Sequence, residues 1–371
     1  MIPVNEPLIG EKEKEYVMDC LKTGWISSAG KYIEEFENRW AAYCGRKYGV
    51  AVANGTVALQ VAVKALDIGP GDEVILPTFT IISCALAVIY SGAKPVLVDS
   101  DPEIWTMDVT KIEEKITPNT KAIMPVHIYG HPVDMDPILS LAKRYKLKII
   151  EDAAEAHGAE YKGKKCGSFG DISCFSFYAN KIITTGEGGM VLTNDPDLAE
   201  RAHSIRNLCF RKERRFYHSE LGNNFRLTNL QAAIGLAQLE RIDELIEKKR
   251  WIGEMYNKGL KGISGIKLPV EKSWAKNVYW MYGIVLDESM GMDATEFARR
   301  LREKGVDTRP FFLGMHEQPI FHKMSLFKDE HYPVAERIAR QGLYLPSGLT
   351  LTKQQIELVC KKVKEVLSKT Y

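Results

Sequence analysis

The feature that most constrains this chain lies between about residues 50 and 195, where short β-rich runs alternate with helix-patterned segments. Glu73-Val-Ile-Leu-Pro77, Lys94-Pro-Val-Leu-Val-Asp99, Lys121-Ala-Ile-Met-Pro125 and Leu147-Lys-Ile-Ile-Glu-Asp152 are brief apolar runs, each closed by a polar or turn residue. Such runs read as strands buried on both faces. The segments between them (56–66, 80–90 and 135–145) carry apolar residues at helical spacing. Alternation of this kind predicts a mostly parallel sheet with helices on both faces. Residues 172–177 and 190–193 repeat the strand pattern and are expected in the same sheet.

Beyond Thr228 the character changes. Residues 230–255 hold an apolar stripe at helical spacing, which predicts one long amphipathic helix as a strut between two domains. The expected division is a large α/β domain over residues 1–245 and a smaller C-terminal α+β domain over 246–371, both of ordinary size.

Composition narrows the possible functions. Fifty Lys and Arg against 48 Asp and Glu leave a formal charge of +2, too little to hold nucleic acid or an anionic membrane. The seven cysteines (Cys20, Cys44, Cys84, Cys166, Cys174, Cys209, Cys360) are scattered, with no CxxC pair. Zinc ribbons, redox pairs and iron–sulfur clusters are therefore disfavoured, and no metal is expected. The start, MIPVNEPLIGEKEKE, lacks the basic and apolar blocks of a secretory signal. The longest apolar stretch, residues 81–90, is too short to span a bilayer. A cytoplasmic protein without a nucleic-acid or membrane partner is expected.

In an open parallel sheet, ligands bind beyond the carboxyl ends of the strands. Three segments put reactive residues there. Asn54-Gly55-Thr56 opens a helix after a strand, so free N–H groups and the Thr56 hydroxyl are available to an anion; an ordinary helix cap reads the same way. Glu151-Asp-Ala-Ala-Glu155 ends a strand with carboxylates that could hold a protonated heteroaromatic nitrogen, or simply cap a turn. Lys181 follows an apolar strand and precedes a glycine-rich turn, where partial desolvation would favour Schiff-base chemistry. No GxGxxG or GxxxxGK[ST] occurs, so dinucleotide and P-loop sites are not supported. Taken together, an anion cradle, an acid and a lysine are what pyridoxal phosphate (PLP) requires for its phosphate, ring nitrogen and aldehyde.

Ordered motifs from Gly24-Trp-Ile-Ser-Ser28 and Ala53-Asn-Gly-Thr56 through Leu76-Pro-Thr-Phe-Thr80, His127-Ile-Tyr-Gly130 and Ser176-Phe-Tyr-Ala-Asn-Lys181 run nearly end to end. They continue in Thr185-Gly-Glu-Gly-Gly-Met190, Gly222-Asn-Asn-Phe-Arg226 and Leu345-Pro-Ser347. In these motifs the chain resembles the DegT/DnrJ/EryC1/StrS family of PLP-dependent sugar aminotransferases, which have the type I, aspartate aminotransferase-like fold. The resemblance implies Lys181 as the Schiff-base lysine and Asp152 as partner of the pyridine nitrogen. It implies Gly55, Thr56 and Ser176 at the phosphate, Asn224 reaching the neighbouring subunit's phosphate in a homodimer with shared sites, and Phe79 stacked on the cofactor ring, although a phenylalanine here reads equally as core packing.

Glu155 stands beside the cofactor where many members carry Gln. Trp25, Ser27 and His157 are implied substrate contacts, although a histidine such as His157 is as readily structural. Lysine at 181, rather than the histidine of the related dehydratases, implies ping-pong transamination with L-glutamate as donor. Arg309-Pro-Phe-Phe312 and His316-Glu-Gln-Pro319 are most similar to the branch that aminates C4 of GDP-4-keto-6-deoxy-D-mannose for O-antigen synthesis, making Arg309 and His316 candidate nucleotide contacts, with turn chemistry around Pro310 and Pro319 the other reading. A UDP- or dTDP-linked ketosugar, or a non-catalytic PLP-binding regulator, are the alternatives.

Overall fold

A computed structural model describes residues 1–211, 214 and 216–368. Two helices, α1 (Glu11–Thr23) and α2 (Lys31–Tyr43), precede the alternating segment. That segment gives β1 (Tyr48–Val52), α3 (Gly55–Ala65), β2 (Glu73–Pro77), α4 (Ser83–Tyr90), β3 (Lys94–Val98), β4 (Thr120–Ile123), α5 (Met135–Tyr145) and β5 (Lys148–Asp152). Short strands β6 (Glu160–Tyr161) and β7 (Lys164–Lys165) follow, then β8 (Ile172–Ser176), β9 (Gly189–Thr193) and α6 (Pro196–Arg206).

Seven strands form the central sheet in the order β1-β9-β8-β5-β4-β2-β3. β3, β2, β4, β5 and β8 run parallel, whereas β9 is antiparallel to both of its neighbours. The sheet is α/β and mostly parallel, and every residue of β2, β8 and β9 is buried, which is why their sequences are nearly continuous apolar runs.

The stripe over 230–255 is not one helix. α7 (Asn229–Leu239) and α8 (Ile242–Leu260) are separated at Glu240 and Arg241, where Arg241 leaves helical geometry at φ −123°, ψ 21°. The break has a tertiary cause. Glu240 is held by Lys12, by Arg39 at 2.8 Å and by the Tyr16 hydroxyl at 3.1 Å, which fixes the chain where two helices diverge. Downstream lie β10 (Ile266–Lys267), β11 (Ala275–Lys276), β12 (Tyr282–Leu286), α9 (Ala294–Glu303), β13 (Arg309–Pro310), α10 (Pro319–Lys323), α11 (Pro333–Gln341), β14 (Gly342–Leu345) and α12 (Lys353–Leu367). A second, antiparallel sheet has the order β10-β12-β14-β13, and β11-β6-β7 make a third.

α8 takes part in two cores. Leu245 and Ile246 pack with the large sheet, whereas Ile252, Tyr256 and Leu260 pack with β12, β14 and α12. Between them the Lys249 amine is fully buried, donating to the Trp280 carbonyl at 2.7 Å and to the Ser347 carbonyl. Burial pushes this amine down to about 7. A lysine whose folded pKa is depressed binds fewer protons than its unfolded counterpart between that value and the ordinary 10.5, so its contribution to stability improves as pH rises through that window. Compared with Lys249→Met in urea unfolding, the wild type should gain about 2 kcal/mol of relative stability from pH 7 to 9. A difference that stays flat over that range would show that the amine is not depressed.

Candidate active site

Three chain reversals at the carboxyl ends of the sheet meet around one cavity of about 610 Å³. The first is the start of α3. The Asn54 side chain accepts the Val57 N–H at 3.0 Å and so caps the helix, leaving the amides of its first turn for a ligand. Thr56 Oγ1 lies 2.8 Å from Ser83 Oγ. A Cβ at Gly55 would come within 2.7 Å of the Ser176 Cβ, and one at Gly189 within 2.4 Å of the Asn54 carbonyl. Only glycine lets these backbones close into a cradle beside the Ser176 hydroxyl. An amide-lined cradle with two hydroxyls fits a phosphate.

The second reversal follows β5. Successive strand side chains point to opposite faces, so the adjacent acids separate. Asp152 lines the cavity and is buried; its Oδ1 accepts the Ala154 N–H at 3.0 Å and its Oδ2 the Cys84 thiol at 3.1 Å. Burial raises its pKa, against the hydrogen bonds and the attraction of Lys181. Glu151 faces the other way, accepting from the amides of Gly167, Phe169 and Gly170 and lying 2.9 Å from His127 Nε2. With Cys166 these two side chains have metal-ligand chemistry, but His127 Nδ1 already accepts the Val133 N–H at 3.0 Å and the Glu151 oxygens are committed to the loop. This cluster anchors structure.

The third reversal carries Lys181. Its amine is 3.8 Å from Glu155 Oε1 and 3.6 Å from the centre of the Trp280 ring. Glu155 Oε2 accepts the Tyr129 N–H at 2.7 Å; Tyr129 holds φ 53°, a left-handed geometry unusual for a bulky residue, which aims that amide into the site. Burial dominates both charges of the pair: it lowers the Lys181 pKa and raises that of Glu155, each opposed by the other's charge. Desolvation thus works toward the neutral amine, the form that attacks a carbonyl.

Gly55, Thr56, Asp152, Glu155, Ser176 and Lys181 thus share one cavity. Other expected positions lie elsewhere. Phe79 is 1% exposed and packs against Tyr129, Phe311 and Phe312, so its ring is part of the wall behind the site; Ile81, 40% exposed, and Thr80 are the residues of that loop that line the cavity. His157 is buried among Trp40, Phe175 and Phe177, where desolvation pushes its pKa to about 3, and it has no access to a substrate. His316 is also structural: Nδ1 is 2.8 Å from Thr78 Oγ1 and Nε2 is 3.1 Å from Glu336. Arg309 is exposed on β13 and bonded to Asp307 at 2.9 Å, outside the cavity lining.

Trp25, Ser27 and Asn224 are exposed and do not line this chain's cavity either. Trp25 borders a separate hollow with Asp19, Lys31 and Tyr32, and the Trp25 and Ser27 carbonyls accept from Asn229. Residues not anticipated complete the wall: Ser83, Asn180, Glu187, Trp280, Phe312 and Tyr344. Asn180 and Phe312 sat inside motifs already noted, whereas Trp280 had no local signal.

Solved structures match this architecture over the whole chain. S. venezuelae DesV, solved with a ketimine intermediate, superposes with a TM-score of 0.90 at 37% identity, covering 96% of this chain and 94% of that one. A Streptococcus pneumoniae protein in its PLP form gives a TM-score of 0.93 at 25% identity, covering 100% and 99%. The fold and site define a PLP-dependent sugar aminotransferase of type I architecture. By sequence, residues 7–364 match the model of the DegT/DnrJ/EryC1/StrS aminotransferase family, and the GDP-perosamine synthase of Escherichia coli O157:H7 is 45% identical over 99% of both chains. That of Caulobacter vibrioides is 46% identical over 99% of this chain and 98% of its own. The chain belongs to the DegT/DnrJ/EryC1/StrS aminotransferase family. Among the described residues no helix is long and apolar enough to cross a membrane.

Proposed function

We propose that this enzyme transfers the amino group of L-glutamate to C4 of GDP-4-keto-6-deoxy-D-mannose, giving GDP-perosamine. The observation that carries the reading is the near-full-length identity of 45–46% to two GDP-perosamine synthases. The cavity supports it with chemistry suited to transamination.

Bound PLP supplies an aldehyde and an electron-poor ring able to carry an amino group from donor to acceptor. The Gly55 and Thr56 amides, with the hydroxyls of Thr56 and Ser176, would hold the phosphate. Asp152 would keep a proton on the ring nitrogen. Ile81, in the cavity lining, would help exclude water. Lys181, the reactive amine, moves a proton to and from the carbon that loses or gains nitrogen. Glu155 and the Trp280 ring stabilise that amine whenever it is charged. In this reading residues 1–245 carry the cofactor, residues 246–371 close the substrate side, and two chains pair so that Trp25, Ser27 and Asn224 of each complete its partner's site.

Incubation with L-glutamate and a panel of 4-ketosugars on GDP, UDP and dTDP tests the assignment. The expected product is the GDP-linked 4-amino sugar, formed by a species with the mass of two chains. Amination confined to a UDP or dTDP substrate would replace the GDP reading, and an active monomer would remove the shared site.

A further inference from the structure

The first turn of α4 touches both ends of the cavity. Ser83 Oγ meets Thr56 Oγ1 at 2.8 Å on the cradle side, and the next residue, Cys84, directs its thiol at Asp152 Oδ2, 3.1 Å away. Cys84 is fully buried, and Thr80 Oγ1 lies 3.6 Å from its sulfur. The opposite carboxylate oxygen is fixed by the Ala154 N–H. Asp152 is therefore held from two directions, by the first turn of α4 and by the turn after β5. The charged groups around it are Lys181 and Glu155 across the cavity; the His127 ring lies behind.

We propose that Cys84 is a positioning residue for the cofactor's ring nitrogen: its thiol fixes the plane of the Asp152 carboxylate while leaving that carboxylate basic. The inference rests on the proposed role of Asp152. Its physical basis is the weakness of a thiol donor. A carboxylate must accept a proton-bearing ring nitrogen strongly, and every strong donor already bound to it lowers its appetite for that proton. A hydroxyl at this position would orient the acid equally well but draw off more of its charge. Burial and the neighbouring carboxylate both hold the Cys84 pKa well above that of an ordinary thiol, so it stays protonated and remains a donor.

Infrared difference spectroscopy and cofactor titration together test this. In the cofactor-free wild type, the S–H stretch removed by Cys84→Ala should lie at the low frequency of a hydrogen-bonded thiol and shift in Asp152→Ala. Cys84→Ala should bind PLP about tenfold more weakly, the cost of one hydrogen bond to a charged group. The pH midpoint of its bound-cofactor absorption should also move. Cys84→Ser should recover the affinity but not the wild-type midpoint, because its hydroxyl donates more strongly. A yellow wild type whose Cys84→Ala variant binds and titrates identically, or an S–H band at the frequency of a free thiol, overturns the brace alone. A wild type that takes up no PLP overturns the functional reading, and the brace with it. If Cys84→Ala does not fold, the Cys84→Ser midpoint and the wild-type S–H band decide the matter.

Discussion

Lys181→Ala should abolish amino transfer, with kcat reduced on the order of 10³-fold or more, while PLP still enters the cavity. The separation follows from the geometry. The cradle at Gly55, Thr56 and Ser176 and the acid at Asp152 lie on reversals that the substitution does not touch, so affinity for phosphate and ring is retained. What disappears is the amine 3.8 Å from Glu155 and 3.6 Å from the Trp280 ring centre. Borohydride, which should lock PLP to the wild-type protein, should leave it dialysable in the variant. Removing the amine also removes the charge that opposes the burial of Glu155, so the carboxyl of that residue should hold its proton to still higher pH. Exogenous methylamine should restore a fraction of turnover if the missing function is proton transfer. Undiminished turnover by Lys181→Ala would move the reactive amine elsewhere.

The parts of this site legible in sequence are those in which one short segment supplies both a strand and its terminal chemistry. Asn54-Gly-Thr56, Asp152 and Lys181 each stand at or soon after the end of a recognisable strand, and the sheet brings such ends together whatever the remaining details. The fold class follows from the same alternation. Legibility stops where the chain leaves regular geometry. After Pro77 the two-residue alternation of β2 no longer dictates which way a side chain points, so the sequence left Phe79 open between the ring and the core; the folded chain packs it among aromatic rings while Ile81 lines the cavity. Trp280 lies about a hundred residues from Lys181 and reaches it only through tertiary packing, its indole N–H donating to the Asn180 carbonyl at 2.8 Å. At His157 and His316 residue type left chemistry and structure both open, and only the burial and hydrogen bonds of the folded chain favour structure. The helix break at Glu240 was hidden for a similar reason: its cause is Lys12 and Arg39, remote in sequence.

Asp152→Asn provides the second large effect, and it isolates charge from shape. Asparagine can keep the acceptor for the Ala154 N–H and nearly the same volume, so the fold and the phosphate cradle should survive. The lost charge matters at the ring nitrogen, which a neutral amide cannot hold in its protonated state. Turnover should fall by about 10²–10³-fold, the usual cost of removing one preorganised electrostatic partner from a water-excluded site. The protein should still turn yellow, because Lys181 and the cradle remain. The loss should reside in kcat rather than in KM for the ketosugar, since the acid acts on the ring and not on the sugar. Restoring a carboxylate as Asp152→Glu should not rescue: the longer side chain cannot keep both the Ala154 amide at 3.0 Å and the Cys84 thiol at 3.1 Å without displacing the oxygen meant for the ring. Normal turnover by Asp152→Asn would mean that the ring nitrogen is served by another group, and Glu155, the remaining acid in the cavity lining nearest to Lys181, would be the next to test.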